Sequence, residues 1–266
     1  MGRFLGPVKT KLNELYEYRN MVRAQVIRTL FGRYKNSVLG FAWNFIMPLV
    51  YMALSYVIFS EIRQNSMDNF IVFLSSGIFI YSFILSGITG GAGVFTSNSG
   101  MIKKMYFPKE VLVISNLISG LIVALIGYVV VILTALVTGH GLSPLAIPVL
   151  LLMLLLGSVF FIGCSLLLGS LTVYVRDVQY ALSAISMAFF VCTPIRSMMS
   201  DAEGMLATIY ELNPLTYFIE PVHQMFYLKQ TPDLYYITLA ALIAIAVFIV
   251  GYAVFKKLKR GFVERL

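Results

Sequence analysis

Side chains able to make or break bonds are few in this sequence, and their spacing points away from an enzyme. His140 and His223 stand alone, with no HExxH pattern and no paired cysteines beside them, so a metal would find no ligand set. Cys164 and Cys192 fall inside apolar runs, where cysteine behaves as a small buried hydrophobe. No GxxxxGK(S/T) loop is present to cradle a nucleotide phosphate. One charged pair does hold a conspicuous position. Arg176-Asp177 separates two apolar runs, Leu145 to Val175 of 31 residues and Val178 to Ile195 of 18, neither with an ionisable side chain. Two opposite charges there serve either as a solvated turn, an ion pair worth ~0 to 1 kcal/mol, or as a tip against which another protein pushes. The residues alone leave both open.

The elements that position this pair follow from composition. With 59% hydrophobic and 12% charged residues and a mean hydropathy of +0.86, the chain is far from the roughly 25% charge of soluble proteins. It is an integral membrane protein. Each long apolar run can cross a hydrocarbon core of ~30 Å as a helix. Six spans are expected, at about 37–60, 70–95, 111–138, 145–175, 178–195 and 235–255, in one all-α transmembrane domain covering residues 1–266. None contains Asp, Glu, Lys, Arg or His, so neither a proton relay nor an ion-coupling group is available inside the membrane. Uphill movement of a cargo would need energy from a partner.

Before the first span, Tyr18, Val22, Val26 and Leu30 continue a helical stripe begun by Leu12 and Leu15, while Lys11, Arg19, Arg23 and Arg33 occupy the other face. A helix over 10–33, capped by Thr10, is expected to lie in the membrane interface, with its cations among phosphates. Packing on a partner subunit is the alternative. Charge and apolar residues mix throughout Lys9 to Asn36, unlike a signal peptide. Pro48 predicts a kink in the first span. Gly87, Gly90, Gly91 and Gly93 predict close helix packing at the end of the second. The segment Arg196 to Leu234 holds Pro214, Pro221, Pro232 and five acidic residues. Asn213-Pro214 reads as a helix start there, followed by Leu215, Phe218, Ile219, Val222, Met225 and Phe226 on one face. Short amphipathic helices at the membrane surface are expected.

Lys and Arg set the orientation. Of the 20 present, 17 fall on the side of the two termini, the Thr96 to Glu110 loop and Arg176, and 3 on the other. The positive-inside rule then places both termini in the cytoplasm and the Arg196 to Leu234 segment outside. The net charge of +8 needs no nucleic acid to account for it. Aromatic side chains recur in the spans, among them Trp43, Tyr51, Tyr56, Tyr81, Phe189 and Phe190. Such rings can stack on the apolar faces of sugars and let a chain slide, or serve as ordinary lipid-facing and interfacial belt residues.

Three ordered motifs carry a resemblance. Arg33-Tyr34-Lys35-Asn36-Ser37-Val38-Leu39-Gly40-Phe41-Ala42-Trp43 with Pro48-Leu49, then Val175-Arg176-Asp177-Val178 with Thr193-Pro194-Ile195, then Asn213-Pro214-Leu215, resemble the membrane subunits of ABC-2 type polysaccharide and polyol-phosphate exporters. These are permeases for O-antigen, capsule and teichoic acid precursors. The resemblance covers essentially the whole chain. It implies a homodimer working with two copies of a separate ATPase, which binds the ATP and Mg, while this subunit binds no cofactor and catalyses nothing itself. It implies a channel between protomers lined by the first and fifth spans, with Trp43, Tyr51, Phe189 and Phe190 as candidate lining aromatics for a lipid-linked glycan. Lys103, Lys104, Arg176 and Asp177 would couple to the ATPase, the basic helix bearing Arg19, Arg23 and Arg33 would contact it, and Arg196, Asn213 and Pro214 would shape an outer gate. Arg196 departs from the expected pattern, which has an uncharged residue there. An ABC-2 permease for a drug or another lipid, and a membrane enzyme acting on polyprenyl-linked sugars, are the alternative functions.

Overall fold

The computed structural model describes residues 16–32, 37–62, 69–199 and 202–266; Arg33 and the expected helix start from Thr10 to Leu15 lie outside the described residues. Among those described, every regular element is helical: α1 (Arg19–Phe31), α2 (Trp43–Ile62), α3 (Phe70–Ala92), α4 (Ser99–Lys104), α5 (Glu110–Val137), α6 (Ala146–Tyr174), α7 (Asp177–Val191), α8 (Met205–Leu212), α9 (Thr216–Phe226), α10 (Leu234–Leu258) and α11 (Phe262–Arg265). Among the described residues α2, α3, α5, α6 and α10 are long and apolar enough to cross a membrane.

Helix α3 is apolar or small all round, from Val72 through Ile84, and such a helix is stable only when covered on every side. It accordingly sits at the centre, packed on α2, α5, α6, α7 and α9, while α6 makes its most extensive contact with α10. The expected glycine packing is present, since Gly87 and Gly91 of α3 face Phe161 and Ser165 of α6. A second apolar core closes the Arg176 end of the bundle: Phe95, Ile102, Phe107, Val111, Phe255 and Phe262 are buried together. Lys259 Nζ lies 3.4 Å from Glu110 Oε1 there, joining the end of α10 to the start of α5.

Three expectations require correction. The fifth span was expected to run to Ile195, yet α7 is 15 residues and stops at Val191. At 1.5 Å per residue it covers ~22 Å, short of the ~30 Å core, so among the described residues five helices, not six, are of crossing length. Second, the segment after it lies only partly on a surface: α8 exposes Met205, Leu206 and Leu212, whereas α9 is not a surface helix. Helix α9 is buried on nearly all sides among α3, α6 and α10, with Phe218 against Phe160, centroids 5.2 Å apart, about four turns into α6. Its apolar stripe finds protein instead of lipid, and its polar stripe is buried too. Third, the apolar stripe of α1 packs on the chain itself. Val26 and Leu30 are buried against the α5 side, whereas Arg19 and Arg23 are exposed as expected. Gln25 Nε2 donates to Asn98 Oδ1 at 2.9 Å, and Arg28 Nη1 reaches the same oxygen at 3.5 Å, tethering α1 to the turn before α4.

Candidate functional site

At one end of the bundle the chain reverses sharply. Val175 leaves the helix in an extended conformation, φ −134° and ψ 99°, and α7 opens on Asp177, whose negative charge suits a helix N-terminus. Arg176 and Asp177 are both exposed. Arg176 lines a cavity of about 360 Å³ with Thr96, Ser97, Ser99, Gln179 and Arg265. Thr96 to Ser99 lead into α4, whose last residues Lys103 and Lys104 are exposed and are followed by Met105 and a fully exposed Tyr106. Ile102 and Phe107, on either side of this tip, are buried in the second core. The structure thus brings the two predicted loops to one end and gives the basic tip a rigid base.

Further along the bundle, α2, α3 and α7 meet in aromatic contacts. Phe190 lies 5.6 Å by centroid from Tyr51 and 5.6 Å from Tyr81, and Tyr81 Oη donates to the Ser186 carbonyl at 3.3 Å. The guanidinium carbon of Arg196 stands 5.1 Å from the Phe190 centroid, in cation–π range. Of the four predicted aromatics, Tyr51 and Phe190 belong to this group. Phe189 and Phe190 both pack on the main core, and Trp43 lies two turns before Tyr51 at the start of α2. Tyr81, one aromatic among many in the sequence, is singled out only by packing. Outside these contacts α2 exposes Met47, Val50 and Leu54, and α7 exposes Tyr180, Ile185, Met187 and Val191, apolar surface that the chain itself does not cover.

Asn213 joins the end of α7 to the start of α9. Its Nδ2 donates to the Cys192 carbonyl at 2.8 Å and to Thr193 Oγ1 at 2.8 Å, and its Oδ1 accepts from the Leu215 amide at 3.0 Å. Thr193 Oγ1 in turn donates to the Phe189 carbonyl. Pro214, half-buried, has no N–H to compete for these acceptors. Helix α9 therefore begins at Thr216, two residues after the predicted Asn-Pro start. Pro194 prevents α7 from continuing, and a side chain 21 residues downstream of Cys192 satisfies the carbonyl left at its end.

Sequence reasoning missed the polar face of α9. Thr216, Glu220 and His223 recur at helical spacing and are all buried. Among the described residues, Thr216 Oγ1, Glu220 Oε2 and both ring nitrogens of His223 have no hydrogen-bond partner. The His223 ring lies 4.0 Å from that of Phe73 and fills the space where Gly77 lacks a side chain. Burial pushes the Glu220 carboxyl up to about 7, partly offset by a hydrogen bond with Gln224, and pushes His223 down to about 3. Between the ordinary carboxylate value near 4.5 and about 7 the folded protein holds a proton that the unfolded chain has released, so stability falls as pH rises through this window. His223 works in the opposite sense, because below its ordinary value near 6.5 the unfolded chain takes up a proton that the folded protein refuses. Relative to wild type, Glu220→Gln is therefore expected to shift the change in melting temperature of the detergent-solubilised protein between pH 5 and pH 8 toward greater stability at pH 8. An unchanged pH profile in that variant would count against the assignment.

Comparison with known proteins fits this architecture. Residues 21–227 match the ABC-2 type transporter family. The chain is 31% identical over 242 residues to an O-antigen export system permease protein RfbA of Klebsiella pneumoniae, covering 88% of this chain and 90% of that protein. It is 25% identical over 263 residues to the protein of the same name from Myxococcus xanthus, covering 96% and 98%. A match over most of the chain, on a bundle of membrane-length helices without ionisable side chains at their centres, establishes the family: this chain is a multi-pass permease of the ABC-2 type transporter family, resident in the cytoplasmic membrane.

Proposed function

We propose that the protein is the membrane-spanning subunit of an ATP-driven exporter that moves a lipid-linked cell-surface polysaccharide, of the O-antigen, capsule or teichoic-acid kind, outward across the cytoplasmic membrane. The observation that carries this reading is the full-length similarity to permeases named for O-antigen export. Two such subunits would face each other across the uncovered surfaces of α2 and α7, with Tyr51 and Phe190 toward the path. Both termini and the Arg176 end would lie in the cytoplasm. Two copies of a separate ATPase, carrying ATP and Mg, would dock on Lys103, Lys104, Arg176 and Asp177, with α1 alongside. Nucleotide-driven closure of the ATPases would press on the tip, and the second core would pass that movement to α5 and α10. Near the far end of α7, Arg196, Asn213 and Pro214 would form the gate.

The ATPase encoded beside this gene, co-expressed with the protein, tests the arrangement. The wild-type pair is expected to copurify and to show ATP hydrolysis that the permease alone lacks. The double substitution Lys103→Glu with Lys104→Glu is expected to weaken association at least tenfold while the permease still runs as a single species in size-exclusion chromatography. Hydrolysis by the permease alone, or undiminished association of the double variant, would sink the proposal. In cells, deletion should leave the lipid-linked glycan in the inner leaflet, whereas an unchanged surface glycan would point to another cargo.

A further inference from the structure

A cavity of about 240 Å³ lies between α1, α2, α3 and α5, in the half of the bundle nearer Arg176. That is several times the roughly 30 Å³ that a water molecule occupies in the liquid. Its lining changes along its depth. By their order along α3 and α5, Ser86, Thr89, Asn116 and Ser119 stand nearer the Arg176 end, and Phe79, Phe83, Val123 and Ala124, with Ser82 as the one polar side chain among them, stand further in. Among the described residues no charged side chain lines it.

The hydrogen-bonding capacity of the polar end is specific. Ser86 Oγ donates to the Phe83 carbonyl at 2.7 Å, Thr89 Oγ1 to the Leu85 carbonyl at 2.9 Å, and Ser119 Oγ to the Ser115 carbonyl at 2.8 Å. With their protons committed to their own helices, these three oxygens offer the cavity only lone pairs. Asn116 supplies the opposite need: its Nδ2 is buried and has no hydrogen-bond acceptor among the described residues. Folded proteins seldom leave a buried donor unsatisfied, so such a group ordinarily meets a ligand or a water. The complementary occupant donates to several oxygens and accepts from one amide. A hydroxyl group does both, whereas a bare phosphate only accepts and would find no cation among the described lining residues.

We propose that this cavity binds a membrane lipid with a hydroxylated headgroup, glycerol or a single sugar, whose hydroxyls meet Asn116, Ser86, Thr89 and Ser119 and whose chain lies toward Phe79 and Phe83. The polar-to-apolar gradient matches the order of a lipid entering from the leaflet on the Arg176 side. Thr29 and Leu30 of α1 form part of the wall, and Gln25 and Arg28 hold α1 there through Asn98. The bound lipid thereby sets the spacing of α1 from α2. This inference rests on the membrane location alone and holds whatever the exported cargo is.

Native mass spectrometry of the full-length protein, exchanged into mixed micelles with phosphatidylglycerol, monoglucosyl-diacylglycerol, phosphatidic acid or phosphatidylcholine, tests it. Retention of at least one hydroxylated lipid is expected to exceed that of phosphatidylcholine and phosphatidic acid at least tenfold, and the first two arms distinguish a glycerol from a sugar headgroup. Gly90→Leu, at the exposed rim where a Cβ would stand 3.7 Å from Asn116 Nδ2, is expected to abolish the preference. Asn116→Leu should reduce it at least tenfold without lowering the melting temperature, and it decides the matter if the rim variant folds poorly. Equal retention of all four lipids, a preference for phosphatidic acid, or a preference unchanged in both variants would overturn the proposal. So would a cavity that holds only water, seen as no retained lipid in the wild type.

Discussion

Replacing Gly251 with valine is expected to leave almost no folded protein in the membrane, a larger effect than any other single substitution in the bundle. Gly251 of α10 and Gly163 of α6 meet backbone to backbone. A Cβ on Gly251 would overlap the carbonyl oxygen of Gly163, and one on Gly163 would stand 2.6 Å from the amide nitrogen of Phe248. Neither obstacle is a side chain that can rotate away, so two helices would have to separate along the most extensive contact in the molecule. Overpacking of this kind costs at least about 3 kcal/mol, a large share of a stability that rarely exceeds ~15 kcal/mol. Gly100→Ala, where an added Cβ meets nothing within 4 Å, is the control and should be neutral. Size-exclusion chromatography of fluorescently tagged variants, followed by a thermal ramp, reads both. A monodisperse Gly251→Val with an unchanged melting temperature would show that α6 and α10 do not meet in this way.

Asn213→Ala is expected to cost at least tenfold in glycan export while leaving the ATPase bound. The substitution removes three hydrogen bonds and leaves the Cys192 carbonyl and the Leu215 amide without their partner, each a loss of about 1–3 kcal/mol in a buried place. With the clamp gone, the end of α7 and the start of α9 move independently, so Phe190, Arg196 and α9 no longer respond together. Asn213→Asp sharpens the test. A carboxylate keeps the acceptor for Leu215 but turns two donated bonds into contacts between oxygens, so it should impair export at least as much as alanine. Export within twofold of wild type in both variants, with the ATPase bound, would remove Asn213 from the gate.

Much of this architecture is legible in the sequence because hydropathy and period report directly on solvent and helix. The starts and ends of α3, α5 and α6 fall within a few residues of the apolar runs that predict them. The glycines at the end of α3 announce a close helix contact by their size alone. Asn213-Pro214, the exposed lysines of α4 and the Arg176-Asp177 reversal are likewise visible as short polar interruptions in an apolar chain.

The parts that escaped are those settled by residues distant in sequence. Apolar composition continues to Ile195, yet α7 stops at Val191; Pro194, which has no N–H and disfavours a helical Thr193, marks that stop locally, and the Asn213 side chain, donating to the Cys192 carbonyl, holds the break only once α9 is in place. The stripe of α1 predicted for lipid is the stripe that is buried, but the pattern states only that water is excluded there, not whether lipid or α5 excludes it. For α9 the pattern misleads outright. Thr216, Glu220 and His223 are polar, and polar residues on one face ordinarily mean a wet face, yet Gly77 of α3 opens just enough room to take the His223 ring against Phe73. Sequence by itself determined that this is a helical membrane protein, and its motifs pointed to a permease family. Only the tertiary structure decided which helices cover one another, because a side chain's preference for leaving water is local, whereas the surface that receives it is supplied by residues far along the chain.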